Sequence, residues 1–356
     1  MNKEKINIIY LLPTQKTPSG GSGVIYKHSA IINNFKNNFS SEILYYKKKK
    51  LAKFLNSLKK IFNIKDKKDN FGYKYDEIKV VKNFNLSKDW NIYKFISTNK
   101  LHFNSKKDFI ILPEIIAHFA EELCIKKKIK YAIFVQGVYH MNQTNNISLL
   151  KKTYANAEFI IFLNQNTKKK FEYIFPRLNK NFFISRLSIN NSFQTKKNKK
   201  NIITCMPRKL IEDFHLLNLF NINKIPKNWK IKILRNLTNE EIKKNLMESR
   251  IFLSFSNFEG TGLPPLEAAL SGNKVIGYSG NGGETYFKKP IFNKIRKGDI
   301  LNFSKTINDN IKNLEKYWHL KKNIKAQRYK IYKQYSEEKE INSVKKMLDK
   351  ISKIIK

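Results

Sequence analysis

Cysteine is nearly absent from this chain of 356 residues: Cys124 and Cys205 stand far apart and in no C-x-x-C spacing. That excludes a disulfide framework and a zinc site of ordinary spacing, and makes a reducing compartment the expected setting. Acid is scarce as well, with 28 Asp and Glu against 70 Lys and Arg, a formal charge of +42. Arginine contributes only seven of those cations, at 177, 186, 208, 235, 250, 296 and 328. Arginine is the side chain that forks onto guanine edges and phosphates, so a lysine surplus argues little for sequence-specific nucleic-acid reading, and no specific nucleic-acid partner is expected. A basic nucleic-acid-binding protein remains the rival reading from another class, but it has no RNP aromatic motif, zinc finger or arginine-rich segment to support it. Long apolar runs are missing too. Phe109 to Ala120 is broken by Pro113, Glu114 and His118, well short of the roughly eighteen apolar residues of a membrane-spanning helix. Met1 to Leu12 starts basic and turns apolar, but it ends in Pro-Thr-Gln-Lys and not in a small-residue cleavage site, so it reads as a first strand. Gly-x-Ser-x-Gly, His-Glu-x-x-His and Walker patterns do not occur, which leaves hydrolase, zinc-protease and ATPase readings without support.

What the chain has is core material, with 41% hydrophobic and 13% aromatic residues. At roughly 150 residues per domain, its length suggests two domains. Ile6 to Leu12 is a near-continuous apolar run that leads into Pro18-Ser-Gly20-Gly21-Ser-Gly23 and then a helix expected over Val24 to Phe35. Glu42 to Tyr46, Phe109 to Leu112, Tyr131 to Val135 and Phe159 to Leu163 repeat the strand signal with helices or loops between, the pattern of an open parallel α/β sheet. The polar stretch Thr195 to Asn201 is the expected linker. Beyond it the pattern restarts at Ile202 to Cys205, Lys230 to Leu234, Ile251 to Phe255 and Lys274 to Tyr278. From Ile341 the residues Val344, Met347, Leu348, Ile351, Ile354 and Ile355 fall at helical spacing. The expected organisation is therefore a Rossmann-like domain over 1–194, a linker over 195–201, a second Rossmann-like domain over 202–335 and a closing helix over 336–356.

The chemistry concentrates in Ser254-Phe-Ser-Asn-Phe-Glu259-Gly-Thr-Gly262-Leu263-Pro-Pro-Leu-Glu267-Ala-Ala. A strand ends, glycines permit a tight turn, and Pro264 and Pro265 suit the first turn of a helix, so Glu259 and Glu267 stand at a helix entrance. Open amides around Thr261 to Leu263 can receive phosphate oxygens, and a carboxylate accepts the paired hydroxyls of a sugar or ribose. The same punctuation would equally start a helix with no ligand, the two acids then only complementing its dipole. The next strand is followed by Ser279-Gly280-Asn-Gly282-Gly283-Glu284, a second glycine-rich turn with a helix expected after it, and ligands of open α/β sheets bind beyond such strand ends.

Glu259 and Glu267 with seven residues between them, Ala268-Ala269, a Ser-Gly before the next strand and the Gly280 to Glu284 loop resemble the E-x7-E segment of retaining GT-B glycosyltransferases, in particular the large family four. The resemblance implies two tandem Rossmann-like domains with a cleft between them and a C-terminal helix returning to the first. It implies Glu259 on the hydroxyls of the transferred sugar, Glu267 on the nucleotide ribose, Arg208 and Lys209 on the donor diphosphate, and Gly262, Leu263, Gly282 and Gly283 around the donor. Gly20 and Gly21 resemble the N-terminal glycine loop of that family. Where many members have a histidine at a strand end of the first domain, this chain has Gln136, with His140 four residues on. Glu114 and His118, spaced i and i+4, read either as an acceptor-side pair or as a surface ion pair. The implied activity is transfer of a sugar from a nucleotide-diphosphate donor to a glycan or lipid-linked glycan of a bacterial surface polysaccharide or lipo-oligosaccharide. No metal site and no cofactor are implied, and the expected location is cytoplasmic, at the inner membrane face. A non-catalytic GT-B scaffold is the other alternative, against which the presence of Glu259, Glu267 and Arg208 argues.

Lys47 to Lys68 contains ten Lys and one Asp, with Leu51, Phe54, Leu55, Leu58, Ile61 and Phe62 at spacings of three and four. This predicts a basic amphipathic helix, either a core or lid helix with a solvated lysine face or a helix lying on an anionic membrane.

Overall fold

The computed structural model describes residues 5–14, 20–35, 38–49, 77–80, 96–98, 102–141, 144, 146–190, 192–196, 198–207 and 209–355. The chain forms two compact units, Met1–Arg186 with Ile341–Lys356, and Leu187–Glu340. The boundary thus falls before the polar stretch 195–201, whose last two residues already belong to a strand.

The first unit comprises β1 (Ile6–Pro13), α1 (Gly20–Asn34), β2 (Phe39–Lys49), β3 (Glu77–Val80), β4 (Ile96–Thr98), β5 (Asp108–Pro113), β6 (Tyr131–Val135), α2 (Ile147–Asn156), β7 (Phe159–Phe162), α3 (Gln165–Ile174) and β8 (Phe182–Ile184). The sheet order is β3-β2-β1-β5-β6-β7-β8, with β4 also on β2; β3 is antiparallel to β2 and the other pairs are parallel. The apolar runs form strands because both faces of the sheet are covered: every residue of β5, β6 and β7 is buried. The chain's many asparagines do local work, since the side chains of Asn146 and Asn164 accept the amides of Leu149 and Thr167, each at 2.8 Å, and so cap α2 and α3.

Three expectations change here. Helix α1 begins at Gly20, so Gly20 and Gly21 form its first turn and not a preceding loop. Lys47, Lys48 and Lys49 belong to β2, paired with Lys79, Ile78 and Glu77 of β3 in that order, where a helix was expected to start; residues 50–68 of that expected helix lie outside the described residues. Glu114 and His118 do not share an α-helical face, because Glu114–Phe119 is a 3-10 helix in which Ile116 leaves helical geometry.

The second unit comprises β9 (Lys200–Cys205), α4 (Ile211–Phe220), β10 (Lys230–Ile233), α5 (Asn239–Glu248), β11 (Ser249–Ser256), α6 (Leu263–Leu270), β12 (Lys274–Ser279), β13 (Phe292–Lys294), α7 (Ile300–Lys312), α8 (Leu314–His319) and α9 (Lys321–Gln334). Its sheet is parallel throughout, in the order β10-β9-β11-β12-β13. One face packs Phe252, Val275 and Phe292 against Leu266 and Ala269, and the other packs Leu253, Phe255 and Ile276 against Phe303 and Ile307. Helix α5 starts with a complete capping box, Thr238 with Glu241. It ends on Lys199, whose ammonium donates to the carbonyls of Leu246, Met247 and Ser249. That lysine, read from sequence as part of the linker 195–201, is half-buried and engaged with the second unit. The last helix, α10 (Glu337–Ile355), belongs to the first unit from Ile341 onward and buries Val344, Met347, Leu348 and Ile351, the stripe its sequence spacing predicts.

Candidate functional site

In the second unit, β9, β11 and β12 lie side by side in register, with Cys205 opposite Leu253 and Ser254 opposite Gly277. Their carboxyl ends therefore deliver three loops to one edge of the sheet: the one holding Lys209, the one holding Glu259 and the Gly280 loop. Lys209 and Glu259, fifty residues apart in sequence, meet there with Nζ 2.7 Å from Oε1, each side chain about a third exposed (34% and 33%). Arg208 lies outside the described residues.

Helix α6 opens as its sequence predicts. Gly262 precedes it in the left-handed region (φ +76°) with no side-chain cap, and prolines occupy the first turn. Pro264 and Pro265 have no amide hydrogens, so the donors left at the entrance are the backbone N–H groups of Gly262 and Leu263, and neither has an acceptor among the described residues. Glu267 stands one turn into the helix. Its carboxylate makes no ion pair or hydrogen bond to any described residue, and burial alone pushes it up to about 7. A half-buried carboxylate with no donor among the described residues is placed to accept hydroxyls.

The loop after β12 turns from Gly280 through Tyr286 without forming the expected helix. It is laced to the Glu259 loop by the Glu259 amide, which donates to the Gly280 carbonyl at 3.0 Å. Gly282 is required there for closeness, since a Cβ would lie 2.6 Å from the Glu259 carbonyl oxygen and 2.7 Å from Gly260 C. The amides of Gly282 and Gly283 donate to Gly280 and Ser279, so these glycines shape the loop and their N–H groups are already engaged. Glu284 accepts from the Ser279 hydroxyl at 2.6 Å and pairs with Lys294.

Two contributors carry no motif. Lys297 donates to Asn257 Oδ1 at 3.1 Å and lies 5.2 Å from the Phe258 ring centroid, placing a further cation beside the Glu259 loop. The buried hydroxyl of Tyr286 is shared between the carbonyls of Gly262 (2.6 Å) and Thr261 (3.1 Å) and so holds the helix entrance in place. Tyr286→Phe removes that donor from two carbonyls of a buried loop and is expected to lower stability by about 1–2 kcal/mol, read as a lower urea midpoint at unchanged m-value.

In the first unit the acceptor-side candidates separate. Glu114, 4% exposed, accepts the amide of Gly137 at 3.1 Å and that of Gln136 at 3.3 Å, so its carboxylate holds the chain after β6. Gln136 Nε2 donates to the Gly21 carbonyl at 3.1 Å, and a Cβ on Gly21 would lie 2.7 Å from Gln136 Oε1. Gly21 thus lets the start of α1 approach the Gln136 loop. His140, on the short turn Val138–His140, is exposed.

No protein-family model matches this chain. The curated alpha-1,6-glucosyltransferase of Actinobacillus pleuropneumoniae is 27% identical over 186 residues, 49% of this chain and 54% of that protein, so the match spans about half the length of the relative. Among solved structures, S. aureus TarM, as a variant in complex with Fondaparinux, alpha-GlcNAc-glycerol and UDP, superposes with a TM-score of 0.63 at 11% identity, covering 98% of this chain and 99% of its own. The pneumococcal O-GlcNAc transferase GtfA, in complex with UDP and GlcNAc, gives 0.61 at 12% identity, covering 98% and 99%. With its two parallel α/β units and these neighbours along nearly its whole length, the chain has the GT-B fold of glycosyltransferases.

Proposed function

We propose that this chain is a retaining, metal-independent glycosyltransferase that moves a sugar from a nucleoside-diphosphate donor to a glycan or lipid-linked glycan acceptor in surface polysaccharide or lipo-oligosaccharide assembly. The observation that carries the reading is the meeting of Lys209 with Glu259 beside the open amides of Gly262 and Leu263 and the unpartnered Glu267. In this reading Glu267 accepts the ribose hydroxyls and Glu259 those of the transferred sugar. Arg208, Lys209 and the two amides receive the diphosphate. Cleaving the glycosyl–phosphate bond builds negative charge on the leaving diphosphate and positive character on the sugar, so fixed cations and amides at the phosphates favour the transition state over the ground state. The Lys209–Glu259 pair yields readily to a ligand, because a partly exposed ion pair contributes at most about 1 kcal/mol. On the first unit, Gln136 and His140 are the proposed acceptor-side groups, with Glu114 setting the position of Gln136.

Calorimetric titration of UDP and UDP-sugars, in buffers of differing ionisation enthalpy containing EDTA, tests this. Glu267 accepts hydroxyls as a carboxylate, so near pH 6–7 binding is expected to release a proton, and Glu267→Gln is expected to lose both the release and about tenfold or more in affinity, the weight of a charged hydrogen bond. The same group sets a sign for stability. With its pKa raised from 4.5 to about 7 in the fold, the native state holds more protons than the unfolded chain between those values, so stability falls as pH rises across that window. Glu267→Gln then gains on the parent protein above pH 7 and matches it below 4.5. Absence of nucleotide binding would remove the proposal.

A further inference from the structure

Thr195 precedes β9, and Leu270 closes α6 just before β12 begins, so both lie at the end of the second sheet where its strands start, away from the loops around Glu259. There they line an open pocket of about 380 Å³ together with Lys325, Arg328, Tyr329 and Tyr332. The last four fall at i, i+3, i+4 and i+7 on α9 and share one face, while Ile324 and Ile331 anchor the helix to the core. Among the described residues no Asp or Glu lines the pocket.

Arg328 is held there under tension of charge. Its Nη1 donates to Thr195 Oγ1, but its Nε is enclosed and has no hydrogen-bond partner among the described residues. Desolvation lowers its basicity, and Lys199, pushed down to about 7 by burial first, is lowered further by Arg328 and Arg250. Lys333 adds a cation, 5.5 Å from the Tyr329 ring centroid. A half-buried guanidinium with no carboxylate lining its pocket is costly unless an anion joins it, and the exposed Lys325 and Lys333 add positive charge at the rim. Tyr329 (60% exposed) and Tyr332 (41% exposed) present rings to solvent, where an apolar face and a polar hydroxyl both find use against a sugar. The volume lies at the small end of small-molecule pockets, room for a single ring and its charged group.

We propose that this pocket is a second saccharide site that takes a sugar carrying an anionic group, the anion on Arg328 and Lys325 and the ring against Tyr329 and Tyr332. Such a ligand is either a free sugar phosphate or an acidic unit of a glycan chain, and the two share the chemistry that the pocket offers.

The test uses the full chain, with saturation-transfer NMR and calorimetry of glucose 6-phosphate, glucose, inorganic phosphate and a uronic-acid disaccharide. The sugar phosphate or the disaccharide is expected to bind at least about tenfold more tightly than glucose or phosphate alone, since ring and anion each add a contact. Preference for the disaccharide identifies a glycan chain, and preference for the sugar phosphate a free metabolite. Tyr329→Ala and Lys325→Gln, both at exposed positions, are expected to weaken binding without lowering the melting temperature, and Arg328→Gln to weaken it most. UDP is expected not to compete. Binding unaltered by Tyr329→Ala and Lys325→Gln, phosphate bound as well as its sugar ester, or displacement by UDP would each overturn the proposal. The readout is saccharide binding itself, so failure of the nucleotide-donor reading leaves this test intact.

Discussion

Replacing Glu259 with alanine is expected to reduce sugar transfer by about a thousandfold, the upper end for loss of one preorganised polar contact at a reacting centre. The expectation rests on where the carboxylate stands: its loop is tied by its own amide to Gly280, closed against Gly282 and backed by the Tyr286 hydroxyl, so the backbone that carries the side chain is fixed in advance and only the weak pair with Lys209 has to open. Stability separates this from a structural role. A pair with Lys209 that is a third exposed contributes at most about 1 kcal/mol, so the melting temperature is expected to be nearly unchanged while turnover collapses. Lys209→Ala provides the companion measurement. If Lys209 steers the diphosphate, it loses turnover too, and the double variant falls by less than the product of the single effects because both serve one bound donor. Retention of most of the parent turnover by Glu259→Ala would remove Glu259 from the site.

The Glu259 segment was legible because its signals are local. Gly262 before Pro264 and Pro265 is a helix start whose punctuation depends on backbone sterics and little on the rest of the fold, and the structure opens α6 at Leu263 accordingly. The doubly covered parallel strands were legible for a related reason, since a strand buried on both faces is built from apolar and aromatic residues with little alternation, as β6 and β7 are. What sequence reading missed depends on distant partners. Gly20 and Gly21 read as a loop because glycine disfavours helices, yet the close approach of Gln136 to Gly21, 115 residues away, asks for a position without a Cβ in the first turn of the helix. Glu114 read as half of a helical pair with His118, but the carboxylate is claimed by two amides more than twenty residues on. Lys199 read as a linker residue because its neighbours in sequence are polar, whereas the end of α5, which it caps, is brought to it only by the fold. Tyr286 has no motif at all, and its two acceptors lie about 25 residues upstream.

The largest loss of stability is expected from Gly277→Ala, in the middle of β12. Gly277 has φ +132°, a region that L side chains rarely enter, and a Cβ there would collide with the Ser254 carbonyl oxygen on β11 and lie 2.8 Å from Phe303 Cζ on α7. Neither neighbour has room to give. Ser254 is pinned by its hydroxyl to the Tyr278 carbonyl at 2.7 Å, and Phe303 is fully buried against Phe255 and Tyr278, with ring centroids 5.4 Å apart in each pair. Backbone strain and overpacking together are expected to cost about 3–5 kcal/mol, a fall of about 10 °C in the melting temperature of a unit this size. The consequence reaches the candidate site, because the pairing of Ser254 with Gly277 is the register that brings the Glu259 and Gly280 loops off adjacent strand ends. Nucleotide binding is therefore expected to weaken in Gly277→Ala even at temperatures where the chain is still folded. A variant that melts with the parent protein would show that β12 can accommodate a side chain by shifting against β11, and the loop geometry would then not depend on that glycine.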